Sequence, residues 1–511
     1  MSQVRENWSA RSGFIFAAVG SAVGLGNIWR FPYVAYENGG GAFLLPYLIA
    51  LLTAGLPLLF LDYIVGHRYR RSPPLAYQQI TPKAETLGWW QVMVCLFIGM
   101  YYASVLAWAA SYVYFSFGQK WQGNPEQFFM QDYLQSNGGS SLSFEIIPHL
   151  FFPILGMWVL VLLILYLGVK RGVELSNKIF IPLLIVLFMI LVVQAVRLPG
   201  AVQGLNAFFT PNWQAMTDYK VWLAAYGHIF FSLSVGFGIM VTYASYLGKK
   251  SNLTGAGLVV GLANSSFEIL AGIGVFSALG FMAHAQGVPV KEVVSGGIGL
   301  AFIAFPQLIS SLGSSGDWFG FLFFSCLVVA GVTSLVSVMQ VPISAFQDKT
   351  GCSRQKAVLG IGGGTALLSI LLFSTANAIT LVDIIDHFIN NIGIVLGALL
   401  SITLVTWLMR SKLDDYTRHS NQISSIKLGK VWQLLLTIVT PLSLLITLGL
   451  TLNGLLGSGY GNYPGWLVMI FGWGSVLCCL IGAFLLKHLL PVQKPVQPAQ
   501  DEPQIQTGEQ P

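Results

Sequence analysis

The sequence predicts an all-α polytopic membrane protein: twelve transmembrane helices in a 5+5 inverted repeat, with helices 1 and 6 discontinuous and two extra helices at the end. Three observations lead there. The 511 residues are 55% hydrophobic and only 9% charged, against about 25% charged in soluble globular domains. Twelve apolar runs are each long enough to cross a bilayer, which takes about 20 residues at a helical rise. Two of those runs, the first and the sixth, are interrupted by glycines where a plain membrane anchor would carry Leu, Ile and Val.

The runs lie near 11–36, 41–66, 89–117, 149–168, 174–196, 221–247, 253–283, 317–346, 355–374, 378–409, 431–454 and 463–487. The first, GFIFAAVGSAVGLGNIWRFPYVAYENGGGAF, holds Gly20, Gly24, Gly26, Asn27 and Arg30, then Pro32 and Gly39-Gly40-Gly41. Glycine costs a helix about 1 kcal/mol relative to alanine, so this cluster beside a polar Asn predicts an interrupted span. Backbone released from its ladder at membrane depth must bind something, and ions or a polar substrate are the usual occupants. The polar start MSQVRENWSAR shows no signal-peptide pattern.

Charge placement sets the orientation. With the N-terminus in the cytoplasm, all but five of the 26 basic residues (Arg30, Lys120, Arg197, Lys220 and Lys291) fall in the tails and cytoplasmic loops, so both termini are expected inside, in a cell (inner) membrane. The expected division is 1–10 cytoplasmic segment, 11–196 first five-helix repeat, 197–220 outer connection, 221–409 second repeat, 410–430 cytoplasmic loop, 431–487 helices 11 and 12, and 488–511 tail. Residues 119–148 read as a polar outer loop, and 284–316 as a helical hairpin broken at Phe305-Pro306. The Pro- and Gln-rich tail from Pro491 is expected to be disordered. Cys95, Cys326, Cys352, Cys478 and Cys479 offer neither metal spacing nor an obvious disulfide.

The first span carries Val23-Gly24-Leu25-Gly26 and the sixth Val235-Gly236-Phe237-Gly238. Each opens a block of five spans, and an odd number reverses the second copy; this pattern points to a binding site between the repeats. The plain alternative is chance recurrence among 56 glycines.

GNIWRFPY, ENGGGAFLLPY and FFSLSVGFGIMVTYASY, in this order on the expected spans, resemble the signatures of the neurotransmitter:sodium symporter family, and residues 5–487 as a whole resemble its bacterial amino acid transporters. The resemblance implies Na+ as the coupling ion, one or two per cycle, and no organic cofactor. It implies a first ion site from the carbonyl of Ala22, the amide oxygen of Asn27, the carbonyl and hydroxyl of Ser232, and Asn264, completed by the substrate carboxylate. That shared ligand couples ion to substrate, reciprocally. A second site is implied from carbonyls of Gly20, Val23 and Ala330 with the hydroxyls of Thr333 and Ser334. Taken singly, such polar residues are more readily interhelical glue, and it is their joint arrangement that favours ion sites.

At Gly24, relatives that carry monoamines place an aspartate for the ligand amine, so the glycine here implies a ligand with its own carboxylate, an amino acid. Its carboxylate is expected at the amides near Leu25 and Gly26 and the Tyr102 hydroxyl, and its amine at carbonyls of Ala22, Phe231 and Ser232. The side-chain pocket is expected from Ser21, Ile98, Tyr102, Phe231, Ser234, Phe237 and Val338, with Ser334 a further candidate. This lining suits a neutral apolar or aromatic side chain, although one methylene changes discrimination by only ~1–3 kcal/mol. The resemblance further implies an outer gate of Arg30 and Asp386, with Asp383 nearby, over a lid of Tyr102 and Phe231. It implies an inner gate of Arg5 and Asp348, with Trp8, Ser245 and Tyr246 around it.

Glu268 sits four residues after Asn264, on the same helix face. Chloride-dependent relatives have a small hydroxyl residue there, so the carboxylate implies chloride independence, with proton exchange on Glu268 a way to balance the cycle. His228 replaces the usual glutamine beside it, Asp62 a commoner glutamate, and Ser232 a commoner threonine. His228 is either a hydrogen-bonding substitute or a source of pH sensitivity. The function expected is Na+-coupled import of an amino acid by alternating access, within a lipid bilayer and without a nucleic-acid partner; a homodimer is compatible with it. A sensor that binds without transport is the alternative. An enzyme is not expected, since no HExxH, Ser/His/Asp or paired-acid pattern stands out.

Overall fold

The computed structural model describes residues 6–491 except 122, 140 and 295; Arg5 and the tail beyond Pro491 lie outside the described residues. Among the described residues, ten helices are long and apolar enough to span a membrane: Gly41–Tyr69, Pro82–Phe115, Pro148–Tyr166, Val169–Val196, Leu253–Gln286, Gly313–Thr350, Arg354–Phe373, Ala378–Leu408, Lys430–Gly457 and Gly465–Leu489. Two broken spans complete the twelve. The first consists of Arg11–Ala22 and Leu25–Glu37, bent by 53°; the sixth consists of Tyr219–Ser232 and Ile239–Ala244, separated by six non-helical residues.

The breaks occur where local backbone chemistry allows them. Val23 is extended (φ −79°, ψ 99°), as is Gly24 (φ −132°, ψ −164°). In the sixth span the chain turns through left-handed φ at Ser234 (53°), Gly236 (84°) and Gly238 (89°), a region glycine enters without steric penalty. Other spans pair the polar groups this releases. Gly236 N donates to Asp62 Oδ2 at 3.1 Å, Gln91 Nε2 donates to Gly236 O at 2.9 Å, and Cys95 Sγ reaches Phe237 O at 3.2 Å. Buried main-chain groups left without partners would each cost several kcal/mol in hydrocarbon, of order, so Asp62 and Gln91 hold the interruption open.

The hairpin reading of 284–316 needs correction. The helix Gly297–Ser311 runs through Phe305-Pro306, and the chain breaks earlier, ahead of it. A wider turn over Leu300–Ala304 immediately precedes Pro306, so the hydrogen-bond ladder is already shifted where proline lacks an N–H. Phe305 stacks on Phe323 with ring centroids 3.9 Å apart, fastening the segment to the eighth span. All five cysteines are free thiols.

One close crossing sets how the segment after the fifth span packs on the seventh. A Cβ on Gly204 would lie 1.7 Å from Phe276 O and 2.8 Å from Gly280 N, both backbone atoms. Small residues at both faces allow that approach. Gly204→Ala is therefore expected to destabilise the fold by about 2–3 kcal/mol, as overpacking does, seen as a lowered melting temperature in detergent.

Candidate functional site

The two interruptions face each other and frame a small cavity of about 80 Å³. Of the residues expected to touch substrate, Ser21, Ala22, Leu25, Gly26, Ile98, Tyr102, Phe231, Ser234, Phe237 and Val338 line it, and so does Ser334. Ser232 does not; its hydroxyl turns away to Glu268 at 2.6 Å. Ile239 from the sixth span and Asn390 and Ile394 from the tenth also line the cavity; the sequence reading missed them, and only Asn390, a polar residue amid an apolar span, carried any signal. A Cβ on Gly24 would lie 2.8 Å from Ser334 Oγ and 3.2 Å from Tyr102 Oη, so an aspartate there would displace both. The amide of Leu25, at the start of the helix Leu25–Glu37, donates to Tyr102 Oη at 3.4 Å. Helix N-termini of this kind favour an anion.

A larger cavity of about 440 Å³ lies beside the first. Leu25, Gly26, Tyr101, Tyr102, Phe231 and Asp386 line both, so Tyr102 and Phe231 stand at the boundary where a lid was expected. Arg30 and Asp386 both line the larger cavity without forming an ion pair. The guanidinium instead lies 4.7 Å from the centre of the Phe231 ring, and Asp386 accepts from Asn390 Nδ2 at 2.7 Å. The two residues of the expected outer gate thus face a common space. Asp383 is held by the hydroxyls of Tyr460 and Tyr463, at 3.0 and 2.9 Å.

Beneath the small cavity, a dense polar cluster links the first, second, sixth and seventh spans. Asn27 Oδ1 accepts from Gly24 N at 2.9 Å, bridging the break, while its Nδ2 reaches Asn264 Oδ1 at 2.8 Å and Glu268 Oε1 at 3.2 Å. Asn264 Nδ2 donates to Ser232 Oγ. Glu268, fully buried, also receives the Tyr47 hydroxyl on Oε2 and His228 Nε2 on Oε1, the latter at 2.8 Å. Four donors thus surround one carboxyl group, the satisfaction a buried polar group requires. His228 Nδ1 has no partner.

The residues expected at the second ion site also converge. Ser334 Oγ lies 3.3 Å from the carbonyls of both Gly20 and Ser21, and Thr333 Oγ1 donates to Ala330 O at 2.8 Å. The extended Val23 leaves the helical ladder at the same point. Carbonyls freed from a helix are hard oxygen ligands, the type an alkali cation takes.

At the end of the bundle bearing the N-terminus, aromatic and polar side chains join the spans. Trp8 Nε1 donates to Tyr243 O at 2.9 Å and its ring packs edge-on against Tyr246. Asp348 Oδ2 accepts from Ser72 N at 2.6 Å and its Oδ1 lies 3.9 Å from Arg71; its expected partner Arg5 is outside the described residues. The helix Arg410–Ile423 caps this end through Arg68–Asp415 (3.2 Å), Tyr69–Tyr416 (2.9 Å) and His67–His419 (2.9 Å). His67 Nε2 must donate to Gly248 O at 2.9 Å, so His419 Nε2 is the donor to His67 Nδ1.

Burial, with His67 and Arg68 adding and Asp415 opposing, pushes the His419 pKa from 6.5 down to about 4. A histidine held neutral in the fold binds fewer protons than its unfolded form between those values, so this contact weakens as pH falls from about 6.5 toward 4. With intrinsic exchange rates divided out, hydrogen-exchange protection over 410–423 is expected to fall from pH 7 to pH 5, and His419→Gln to flatten that fall.

A helical membrane protein whose two broken spans meet around a mid-depth cavity has the architecture of a secondary transporter. Residues 5–132 and 122–490 match the Sodium:neurotransmitter symporter family. An uncharacterized sodium-dependent transporter of Methanocaldococcus jannaschii is 41% identical over 495 residues, covering 96% of this chain and 99% of that one. The sodium-dependent serotonin transporter of Drosophila melanogaster is 30% identical over 522 residues, covering 93% and 82%. The crystal structure of MhsT in complex with L-phenylalanine superposes with a TM-score of 0.73 at 32% identity, covering 88% of this chain and all of that one. The chain belongs to the sodium:neurotransmitter symporter family, a family of sodium-dependent transporters rather than an enzyme class.

Proposed function

We propose that this protein imports a neutral, apolar or aromatic amino acid by symport with one or two Na+ ions, without needing chloride. The observation that carries the reading is the small cavity between the two breaks. It joins a helix N-terminus and the Tyr102 hydroxyl, suited to a carboxylate, to an apolar wall of Ile98, Phe237 and Val338. With Gly24 in place of an acid, the ligand supplies the negative charge. MhsT, structurally similar, was crystallised with L-phenylalanine, which favours an aromatic or large aliphatic side chain here.

In this reading both termini face the cytoplasm of a cell whose inner membrane holds the protein. The larger cavity is the outer vestibule, and the Trp8 plug closes the inner path. Substrate and the first Na+ share the carboxylate, so each raises the affinity for the other by the same factor. The second Na+ ties the first span to the eighth and biases which end is open. Each Na+ entering down ~100 mV releases about 2.3 kcal/mol, enough to drive accumulation. Glu268 supplies the fixed negative charge, and its contact with His228 gives a route for a proton to accompany the return step.

Proteoliposomes with an inward Na+ gradient are expected to accumulate the best ligand from a screen of the twenty amino acids, and to lose accumulation when K+ replaces Na+. Na+-dependent binding without accumulation would identify a sensor instead.

A further inference from the structure

Asn177 on the fifth span is fully buried. Its Nδ2 donates to Val173 O at 2.8 Å, which fixes how the carboxamide points. Its Oδ1 has no hydrogen-bond partner. That oxygen is aimed at the first span: it lies 2.1 Å from where a Cβ of Gly20 would be, and Thr333 Cβ lies 3.2 Å from the same point. Only a glycine admits this approach.

An interhelical glue residue would take an N–H or O–H from its neighbour. This oxygen takes none: it faces Gly20, with Ile181 Cδ1 and Thr333 Cβ 3.0 and 3.2 Å from where a Gly20 Cβ would be. A buried acceptor left unmade costs about 1–3 kcal/mol, and no bulk water relieves it. The residues that flank it, Gly20 and Thr333, are the ones assigned above to the second ion site. That site counts five oxygens, and Na+ accepts a sixth. Asn177 is also one turn from Glu174, which binds Ser9 N at 2.8 Å and Lys178 Nζ at 2.6 Å at the N-terminal end of the bundle. Asn177 therefore lies on the side of the site toward that end.

We propose that Asn177 Oδ1 is a further ligand of the second Na+, approaching it from the cytoplasmic side. The inference rests on the Na+-symport reading. It explains together why a polar oxygen is buried unsatisfied, why its partner position is glycine, and why the carboxamide is tethered by its nitrogen alone. An ion ligand of this kind also gives Na+ an oxygen to pass along when the inner half of the first span moves away.

The test titrates Na+ alone, against K+ at constant ionic strength, and follows thermal unfolding of the purified full chain in detergent. Asn177→Ala and the near-isosteric Asn177→Leu are expected to melt in K+ at or above the wild-type temperature, because an unsatisfied acceptor has been removed. Both are expected to need about tenfold more Na+ for half-maximal stabilisation, the loss of one contact to a charge. Asn177→Asp, which keeps the oxygen, is expected to need no more Na+ than wild type. Equilibrium binding of radioactive Na+ should follow the same order. A Na+ midpoint within twofold of wild type in Asn177→Leu overturns the assignment, since packing alone then accounts for Asn177. Wild-type protein that does not respond to Na+ would instead defeat the symport reading itself.

Discussion

Asn27→Ala is expected to abolish the stimulation of amino acid binding by Na+. The side chain does three things at once: Oδ1 caps Gly24 N across the break in the first span, and Nδ2 joins Asn264 and Glu268. Truncation removes a proposed ion ligand, frees an amide at membrane depth, and leaves two buried acceptors each one donor short. Hydrogen bonds to charged groups contribute about 1.5–3 kcal/mol each, so the Na+ effect should fall by about 100-fold or more. The measurement is equilibrium binding of the preferred amino acid in NaCl and in KCl. If the ratio between the two salts is unchanged in the variant, the first ion site is wrong.

Glu268→Ser is expected to make transport, proposed above to need no chloride, depend on it. In the wild type, Tyr47, His228, Asn27 and Ser232 all direct donors at the Glu268 carboxylate. Serine leaves those donors facing a space that a monatomic anion can occupy, and the Na+ proposed to bind nearby would still require a counter-charge. Na+-driven uptake with gluconate replacing chloride should be unchanged for wild type, nearly lost for the variant, and recovered by the variant when chloride returns. Wild-type uptake that already collapses without chloride would end the proposal. In the same cluster His228 places Nε2 on the carboxylate and leaves Nδ1 unpartnered.

Much of this architecture was legible in the chain because its signals are local. Glycine and proline act within a turn or two, so the interruptions at 23–24 and 233–238 showed as VGxG, and the spans as apolar runs. Asn264 and Glu268, four apart on one helix, could be placed on a common face without knowing what that face meets. The same local rules failed at Phe305-Pro306, where a wider turn just upstream absorbs the proline. They also could not say whether Arg30 and Asp386 touch, since that depends on how far apart the tenth and first spans stand.

The chain by itself determined the membrane class, the count of spans, the two breaks and the residue types gathered near them, because hydropathy and backbone freedom are properties of neighbours in sequence. Only the tertiary structure decided which buried groups satisfy the broken backbone, as Asp62 and Gln91 do at Gly236. It alone turned Ser232 toward Glu268, set His67 against His419, and left the Asn177 oxygen facing Gly20. Those outcomes turn on the approach of helices far apart in the chain, where a few tenths of an ångström separate a hydrogen bond, an ion ligand and an orphaned atom.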